Sequence, residues 1–288
     1  MSRSVFGRVD SQFSKRAIRA RSVLCFTVSL FVCSGCLSKF SVQQKRAELY
    51  AKSGDFKAAH RLYLQTGKES AAQNKIDIAI ISFREAARIA HYELKDFPRA
   101  VETYRQLVLI ETTDRARRDA QAKVAEIYFY DLQQFEDALS SYSQLLTLQP
   151  SDREEIEWRN RIVRSYYYLG RFDQAEVELD QLSRLKMDAN EKYQTELLRA
   201  NIHTAAKQFE KASEVLSSML VNYPEKARAD SIALMLAVSY EEQRDYKRAI
   251  SVLESVREFD SRKAFIDEKL QSLRERMLQA PGARGLKK

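Results

Sequence analysis

Apolar and aromatic positions recur along most of this chain at a nearly constant spacing. At this spacing, an aromatic residue followed three positions later by alanine recurs six times. The six pairs are Phe56/Ala59, Phe97/Ala100, Phe135/Ala138, Phe172/Ala175, Phe209/Ala212 and Tyr246/Ala249. Successive aromatic residues are 41, 38, 37, 37 and 37 positions apart, and a fixed period of roughly 20–50 residues is typical of stacked repeats. The pattern predicts a solenoid rather than one globular core.

Other positions in phase with these pairs predict two helices in each repeat. Seven residues after the aromatics stand Tyr63, Tyr104, Tyr142, Leu179, Leu216 and Leu253, and six residues before them stand Tyr50, His91, Phe129, Tyr166, His203 and Tyr240. Spacings of three, four and seven place side chains on one helical face. Because turn residues such as Gly54-Asp55, Lys95-Asp96 and Gly170-Arg171 precede the aromatics, each repeat is predicted to be a helix, a tight turn and a second helix.

This pattern resembles the tetratricopeptide repeat (TPR) family. The residues at spacings like the family's tyrosine, turn, aromatic, alanine and closing proline are Tyr166, Gly170, Phe172, Ala175 and Pro150. The resemblance covers roughly residues 43–260. It implies an all-α fold, an α-solenoid of about six TPR-like helix-turn-helix repeats with a C-terminal capping helix.

Two features depart from the family pattern. The period of 37 exceeds the family's usual length of about 34 residues. The small residue usual nine positions before the aromatic occurs only as Ala47, Ala200 and Ala237. Because longer helices would alter the superhelix, the shape of the family's groove does not transfer in detail.

Residues 1–35 have the composition of a secretory signal. Six basic residues and one acidic residue precede or flank an apolar run over 23–32. A positive segment, a short apolar run and small residues at the exit are typical of a signal peptide, whereas a transmembrane helix needs about 20 apolar residues.

The exit, Ser34-Gly35-Cys36, resembles the signal of a bacterial lipoprotein. The resemblance implies cleavage before Cys36 and acylation of its sulfur and new amino group with palmitate-like chains. Each buried methylene contributes about 0.8 kcal/mol, so two or three chains give stable anchoring. Leu37, in place of aspartate, implies the outer membrane, with the domain facing the periplasm. Ordinary signal cleavage and an uncleaved anchor are the alternatives.

The remaining chain divides into four predicted segments. They are a lipidated tether over 36–42, the solenoid over 43–260, a capping helix over 261–279 and a disordered tail over 280–288. The apolar positions of the capping helix are Ala264, Phe265, Leu270, Leu273 and Met277. The long interval between the first two aromatics holds Ile76, Ala79, Phe83 and Ala86. Either the second repeat has an extended first helix, which we prefer, or a half-repeat is inserted.

Charge gives little reason to expect nucleic-acid binding. The chain has 48 basic and 40 acidic residues. Removing the six basic residues and one acidic residue of the signal leaves 42 against 39, a net charge of +3, so a concentrated basic footprint is missing. Two local clusters, Arg115/Arg117/Arg118 and Arg159/Arg161/Arg164, lie on predicted first helices and are interpreted as solvated faces.

Candidate chemistry is sparse, and the chain is predicted not to be an enzyme. Cys25, Cys33 and Cys36 are the only cysteines, so no thiol remains after cleavage and acylation. Two of the three histidines, His91 and His203, occupy the ring position before an aromatic, which favours a packing role. No histidine pair has metal-ligand spacing and no glycine-rich phosphate loop occurs. We therefore expect no cofactor and no metal.

A binding surface is the better candidate. First helices line the concave face in the family that the chain resembles. The positions five, eight and twelve residues before each repeating aromatic are expected to face this surface. The groove residues predicted in this way are Tyr92, Tyr130, Tyr167, Lys123, Asn160, Arg164 and Asn201. Tyrosine offers a large contact area and a polar tip, so this row can hold an extended peptide or a partner helix. If the helical phase slips by one residue, the tyrosines pack between helices instead.

These observations predict a membrane-anchored scaffold for protein–protein interaction in the bacterial envelope. Its expected partners are other envelope proteins or peptides, with the membrane reached through Cys36. Among TPR lipoproteins, accessory subunits of outer-membrane β-barrel assembly are the most similar in repeat count and length. A pilotin-like or motility-complex lipoprotein is the alternative, and an envelope enzyme is the class that the residues favour least.

Overall fold

The computed structural model describes residues 39–258 and 261–279, and all regular structure in these residues is helical. The first helices of the six repeats are α1 (39–52), α3 (Ile76–Arg88), α5 (Asp114–Glu126), α7 (Asp152–Tyr168), α9 (Ala189–Ala205) and α12 (Ile232–Glu242). The second helices are α2 (Phe56–Ala72), α4 (Phe97–Ile110), α6 (Phe135–Leu146), α8 (Phe172–Ser183), α10 (Phe209–Asn222) and α13 (Tyr246–Val256). A short helix, α11 (Pro224–Ala229), precedes α12, and α14 (Lys263–Gln279) follows the last repeat. The predicted α-solenoid is confirmed.

Each second helix begins at one of the six repeating aromatic residues, because the chain turns sharply two residues earlier. The residues at that turn position all have positive φ: Gly54, Lys95, Gln133, Gly170, Lys207 and Arg244. A left-handed residue ends one helix and redirects the chain. Only two of the six are glycines, so the other four turns carry a side chain in a conformation that glycine adopts more readily.

Short polar side chains cap several of these helices. Asp55, Asp96 and Asp245 accept hydrogen bonds from backbone N–H groups in the first turns of α2, α4 and α13. Ser151 and Asp188 form capping boxes with Glu154 and Glu191 at the starts of α7 and α9. These bonds satisfy N–H groups that have no partner within the helix.

The alanine of each pair lies where two helices meet. The six alanines, all with no exposed surface, are Ala59, Ala100, Ala138, Ala175, Ala212 and Ala249. The large residues four positions later are buried as well, whereas the six aromatics themselves are half-buried. A methyl group at the contact allows close helix packing, while the larger side chain one turn on fills the space beside it.

Complete burial also separates these alanines from any binding surface. A partner cannot contact a side chain that has no exposed atom. All six alanines are therefore inaccessible to a partner: Ala59, Ala100, Ala138, Ala175, Ala212 and Ala249. The alanines of the repeat are therefore packing positions, and residues that contact a partner have to be sought elsewhere on the helices.

The helices form two compact units, one ending at Val124 and the other beginning at Ala125. The core of the first unit includes Ala47, Ala59, Tyr63, Ala86 and Ile89. The second unit has one cluster around α7, α8 and α9, and another around α10, α12, α13 and α14.

Two π-helical segments explain the missing small residue in the second and third repeats, whereas the fourth repeat carries Val163 at this position without a π segment. Ile89–Glu93 follows α3 and Ile127–Asp131 follows α5. A π turn accommodates one residue more than an α turn, so the small residue lies ten positions before the aromatic in these repeats. Ala87 and Ala125 occupy that position and are completely buried.

The start of the chain differs from the prediction. Residues 39–42, assigned to the tether, form the first turn of α1, where Phe40 is buried. The signal segment 1–35, Cys36 and the tail over 280–288 lie outside the described residues.

The long first interval also has another cause than we expected. Helix α2 has 17 residues, whereas the next second helix, α4, has 14. Residues 76–88 belong to α3, which with its π segment is as long as α5 with its own. The preferred interpretation, an extended first helix in the second repeat, is therefore wrong, and the described residues contain no inserted half-repeat.

Helix α14 caps the last repeat. Ile266, Leu270 and Leu273 are buried against the cluster that includes α13. Phe265, which we expected on this apolar face, is instead 54% exposed, because Ile266 takes the inward position.

Candidate functional site

The predicted groove residues of the first unit are Tyr92 and Lys123. Tyr92 lies in the π segment after α3 and is 52% exposed, with its ring centroid 4.2 Å from that of His91. The buried His91 ring contacts Phe97 and Tyr104 edge-on at 6.0 and 6.4 Å. The histidine therefore packs as an aromatic residue, and Tyr92 presents a large side chain to solvent. Lys123 is half-buried on α5.

The predicted tyrosines of the second unit have different environments. Tyr130 is 51% exposed, and the Arg161 guanidinium lies 4.9 Å from its ring centroid. Tyr167 is half-buried, packs on the core cluster below α7 and lies 6.2 Å from Phe172. The adjacent Tyr168 is the exposed residue, stacked on Phe135 at 4.6 Å. The tyrosines do not form a uniform row, since α7 lacks the π segment that follows α3 and α5.

A polar cleft lies between the first helices α7 and α9. It has a volume of about 250 Å³, and its lining includes Ile156, Asn160, Arg161, Asn190, Gln194 and Thr195. Arg164 Nε donates a hydrogen bond to Asn160 Oδ1 over 2.8 Å. Two predicted residues thus contact each other at this cleft. Asn201 is half-buried farther along α9 and does not line it.

The basic cluster on α7 is engaged within the chain. Arg159 pairs with Glu155 at 2.7 Å and with Glu178 at 3.1 Å. Arg161 stacks over Tyr130, and Arg164 bonds Asn160. These contacts favour a structural role for the cluster over a free cationic patch.

A larger cleft, which we did not predict, lies between α12 and α14. Its volume is about 490 Å³. The lining includes Leu234, Met235, Val238, Phe265, Arg262 and Lys269, with Thr204 contributed by α9. We refer to it as the α12/α14 cleft. Leu234 and Val238 stand twelve and eight residues before Tyr246, so counting the groove positions into the sixth repeat would have found both of them.

Two cationic side chains, Arg262 and Lys269, line this cleft. Arg262 Nη2 donates to Ser231 Oγ over 2.7 Å. Lys269 Nζ lies 2.6 Å from a carboxylate oxygen of the nearly buried Glu241, and Arg276 pairs with the same carboxylate. One acid therefore offsets two bases beside the cleft.

The histidines show no arrangement that suggests catalysis. Burial lowers the pKa of His60, with a further contribution from the charge of Arg99. His203 Nδ1 lies 3.0 Å from Gln208 Oε1, and its Nε2 lies 3.5 Å from Glu176. Among the residues that the structure describes, no group of three histidine, cysteine or acidic side chains could hold a metal ion. Nor is any helix in this part of the chain long and apolar enough to cross a membrane.

Known proteins share this fold. The sequence profile of the tetratricopeptide repeat matches residues 232–259. A tetratricopeptide repeat protein from Parabacteroides merdae ATCC 43184 is similar over 85% of this chain and 88% of its own, with 16% identity and a TM-score of 0.51. The apo form of RapI is similar over 83% of this chain and 72% of its own, with 14% identity and a TM-score of 0.56. No curated protein matches the sequence.

The matched profile covers α12, α13 and the turn between them, and the similar structures cover most of the chain. TPR solenoids typically bind proteins or peptides and lack catalytic activity, since stacked helix pairs create an extended surface rather than an enclosed site. In its fold, this chain is a tetratricopeptide repeat protein.

Proposed function

We propose that this chain is a membrane-anchored TPR lipoprotein that acts as a protein–protein interaction scaffold during assembly of an envelope complex. The anchor is Cys36, whose preceding residues resemble a lipoprotein signal. The domain that it tethers is the TPR solenoid. By repeat count and length, the proposed role is that of an accessory lipoprotein in outer-membrane β-barrel assembly.

The observation that carries the scaffold role is the pair of solvent-open clefts on first helices of the second unit. The cleft between α7 and α9 presents the amides of Asn160, Asn190 and Gln194 together with charged side chains such as Arg153 and Glu157, and these groups can hydrogen-bond or pair with polar groups of a partner. The α12/α14 cleft presents apolar side chains instead. Two clefts of different chemistry on one unit suit a macromolecular partner that contacts several repeats.

The test is crosslinking in intact envelopes, followed by purification of the native lipidated protein. The matched control is Cys36→Ala, which keeps the solenoid and removes the acceptor. We expect one dominant outer-membrane partner that is lost from the control. Recovery of the same partner with the Cys36→Ala protein would contradict the anchoring, and recovery of no partner with either protein would contradict the scaffold role.

A further inference from the structure

The α12/α14 cleft differs from its counterparts at the same positions in earlier repeats. Twelve and eight residues before the aromatic, α7 has Asn160 and Arg164, and α9 has Leu197 and Asn201. In α12 both positions are apolar, Leu234 and Val238. Within the second unit, only the last repeat therefore has apolar residues at both positions.

Binding a partner would bury apolar side chains that are exposed to water in this cleft, which is energetically favourable. Val238 is 42% exposed and Phe265, facing it from α14, is 54% exposed. Each Å² of apolar surface removed from water contributes about 25 cal/mol to the free energy of binding. A cleft of this volume is within the range of about 300–1,000 Å³ that is usual for binding pockets. Because the cleft is open to solvent and its walls are helices, a third helix can pack against it.

The charged residues that line the cleft indicate what kind of partner it binds. Arg262 and Lys269 are the charged residues that line the cleft, and both are cationic. Glu241 neutralises only part of the charge of Lys269 and Arg276, because it pairs with both. An acidic partner is therefore attracted, and like charges at this position are disfavoured. The chain's own tail over 280–288 contains Arg284, Lys287 and Lys288 and no acid, which argues against it as the occupant.

We propose that the α12/α14 cleft binds an amphipathic helix of a partner protein, with an apolar stripe in the cleft and acidic residues along its edges. This rests on the proposed scaffold function and specifies the partner's chemistry. Leu234, Val238 and Phe265 contact the apolar stripe. Arg262 and Lys269 face the acidic edges and set the orientation of the helix.

The test uses the purified full chain and a displayed library of random 16-residue peptides, so neither the anchor nor an envelope is needed. Selection is carried out on the wild-type protein, on Val238→Asn and on Val177→Asn. Val177 lies on α8 outside the cleft and is 59% exposed, so the two variants place the same substitution on helix surfaces. Thermal unfolding checks that both variants fold.

We expect peptides with apolar residues at helical spacing and an excess of Asp and Glu, enriched on wild type and on Val177→Asn. Their affinity should fall at least about tenfold on Val238→Asn, equivalent to 1.4 kcal/mol. Arg262→Gln should reduce the acidic excess. Three results would overturn the proposal, whatever the result of the Cys36→Ala experiment. They are equal enrichment of the peptides on Val238→Asn, an excess of basic residues in the enriched peptides, and no enrichment of any peptide.

Two other occupants would also overturn it. Peptide binding that appears only after residues 280–288 are removed would identify the chain's own tail in the cleft. A concentration-dependent dimer in sedimentation that Val238→Asn disrupts would identify a second copy of the chain. A monomer that binds acidic peptides with its tail intact supports a separate partner helix.

Discussion

Gly67 in α2 packs directly on the ring of Phe83 in α3: a methyl group placed on the glycine would lie 2.9 Å from Phe83 Cδ1. Both residues are buried. This contact lets α2 continue beside α3 as far as Ala72, which is why the first interval of the repeat is longer than the others.

Gly67→Val should destabilise the protein by about 1–3 kcal/mol, because the added methyl groups overpack the contact with Phe83. Lys68→Val places the same side chain at an exposed position of the same helix and is the control. Urea unfolding measures both. Equal midpoints for the two variants would show that the ring moves away at little cost.

Ala87→Leu should cost about 1–3 kcal/mol by overpacking, because the π segment places Ala87 at the buried contact. Arg88→Leu should cost about 1 kcal/mol or less, since Arg88 makes only exposed ion pairs with Glu85 and Glu93. Thermal unfolding of both variants is the measurement. The reverse order would mean that α3 keeps regular α-helical phase to its end.

Gly170→Ala should destabilise the protein by about 1 kcal/mol, although no atom lies near enough to clash. The penalty is that of a left-handed backbone with a Cβ atom. Lys207→Gly, at the equivalent turn, should be neutral or slightly stabilising, because relief of this strain offsets the greater entropy of the unfolded chain. Chemical denaturation compares the two. A loss with both substitutions would show that Lys207 contributes contacts that outweigh its backbone strain.

Acid should weaken the first unit through His60. Burial disfavours the protonated ring, so its pKa in the folded state is below the ordinary 6.5. The unfolded chain then binds more protons, and the free energy of unfolding falls as the pH drops from 6.5 through the folded-state pKa.

Urea midpoints measured at about pH 7.5 and about pH 5.5 should therefore differ less for His60→Gln than for wild type, since glutamine does not titrate in this range. Comparing each protein with itself at the two pH values separates titration from any packing change caused by the substitution. An unchanged difference would locate the acid sensitivity at another group.

Local residue patterns determined the repeat architecture. The aromatic-to-alanine phrase predicted where each second helix begins, because a helix start depends on the turn just before it and on the face that follows. The burial of the alanines and the absence of other regular structure in the described residues agree with that pattern. The fold could be predicted because the same short-range signals recur six times.

Tertiary packing decided the register within the first helices and the chemistry of the candidate site. One extra residue can be accommodated by a longer turn or by a π segment, and the complete burial of Ala87 and Ala125 is consistent with the π segment found here. Tyr167 and Tyr168 are adjacent in sequence, yet packing turns only the latter outward. Likewise, the α12/α14 cleft exists because Ile266 rather than Phe265 reaches the core, a choice set by how α14 sits on the last repeat and not by the sequence of α14 alone.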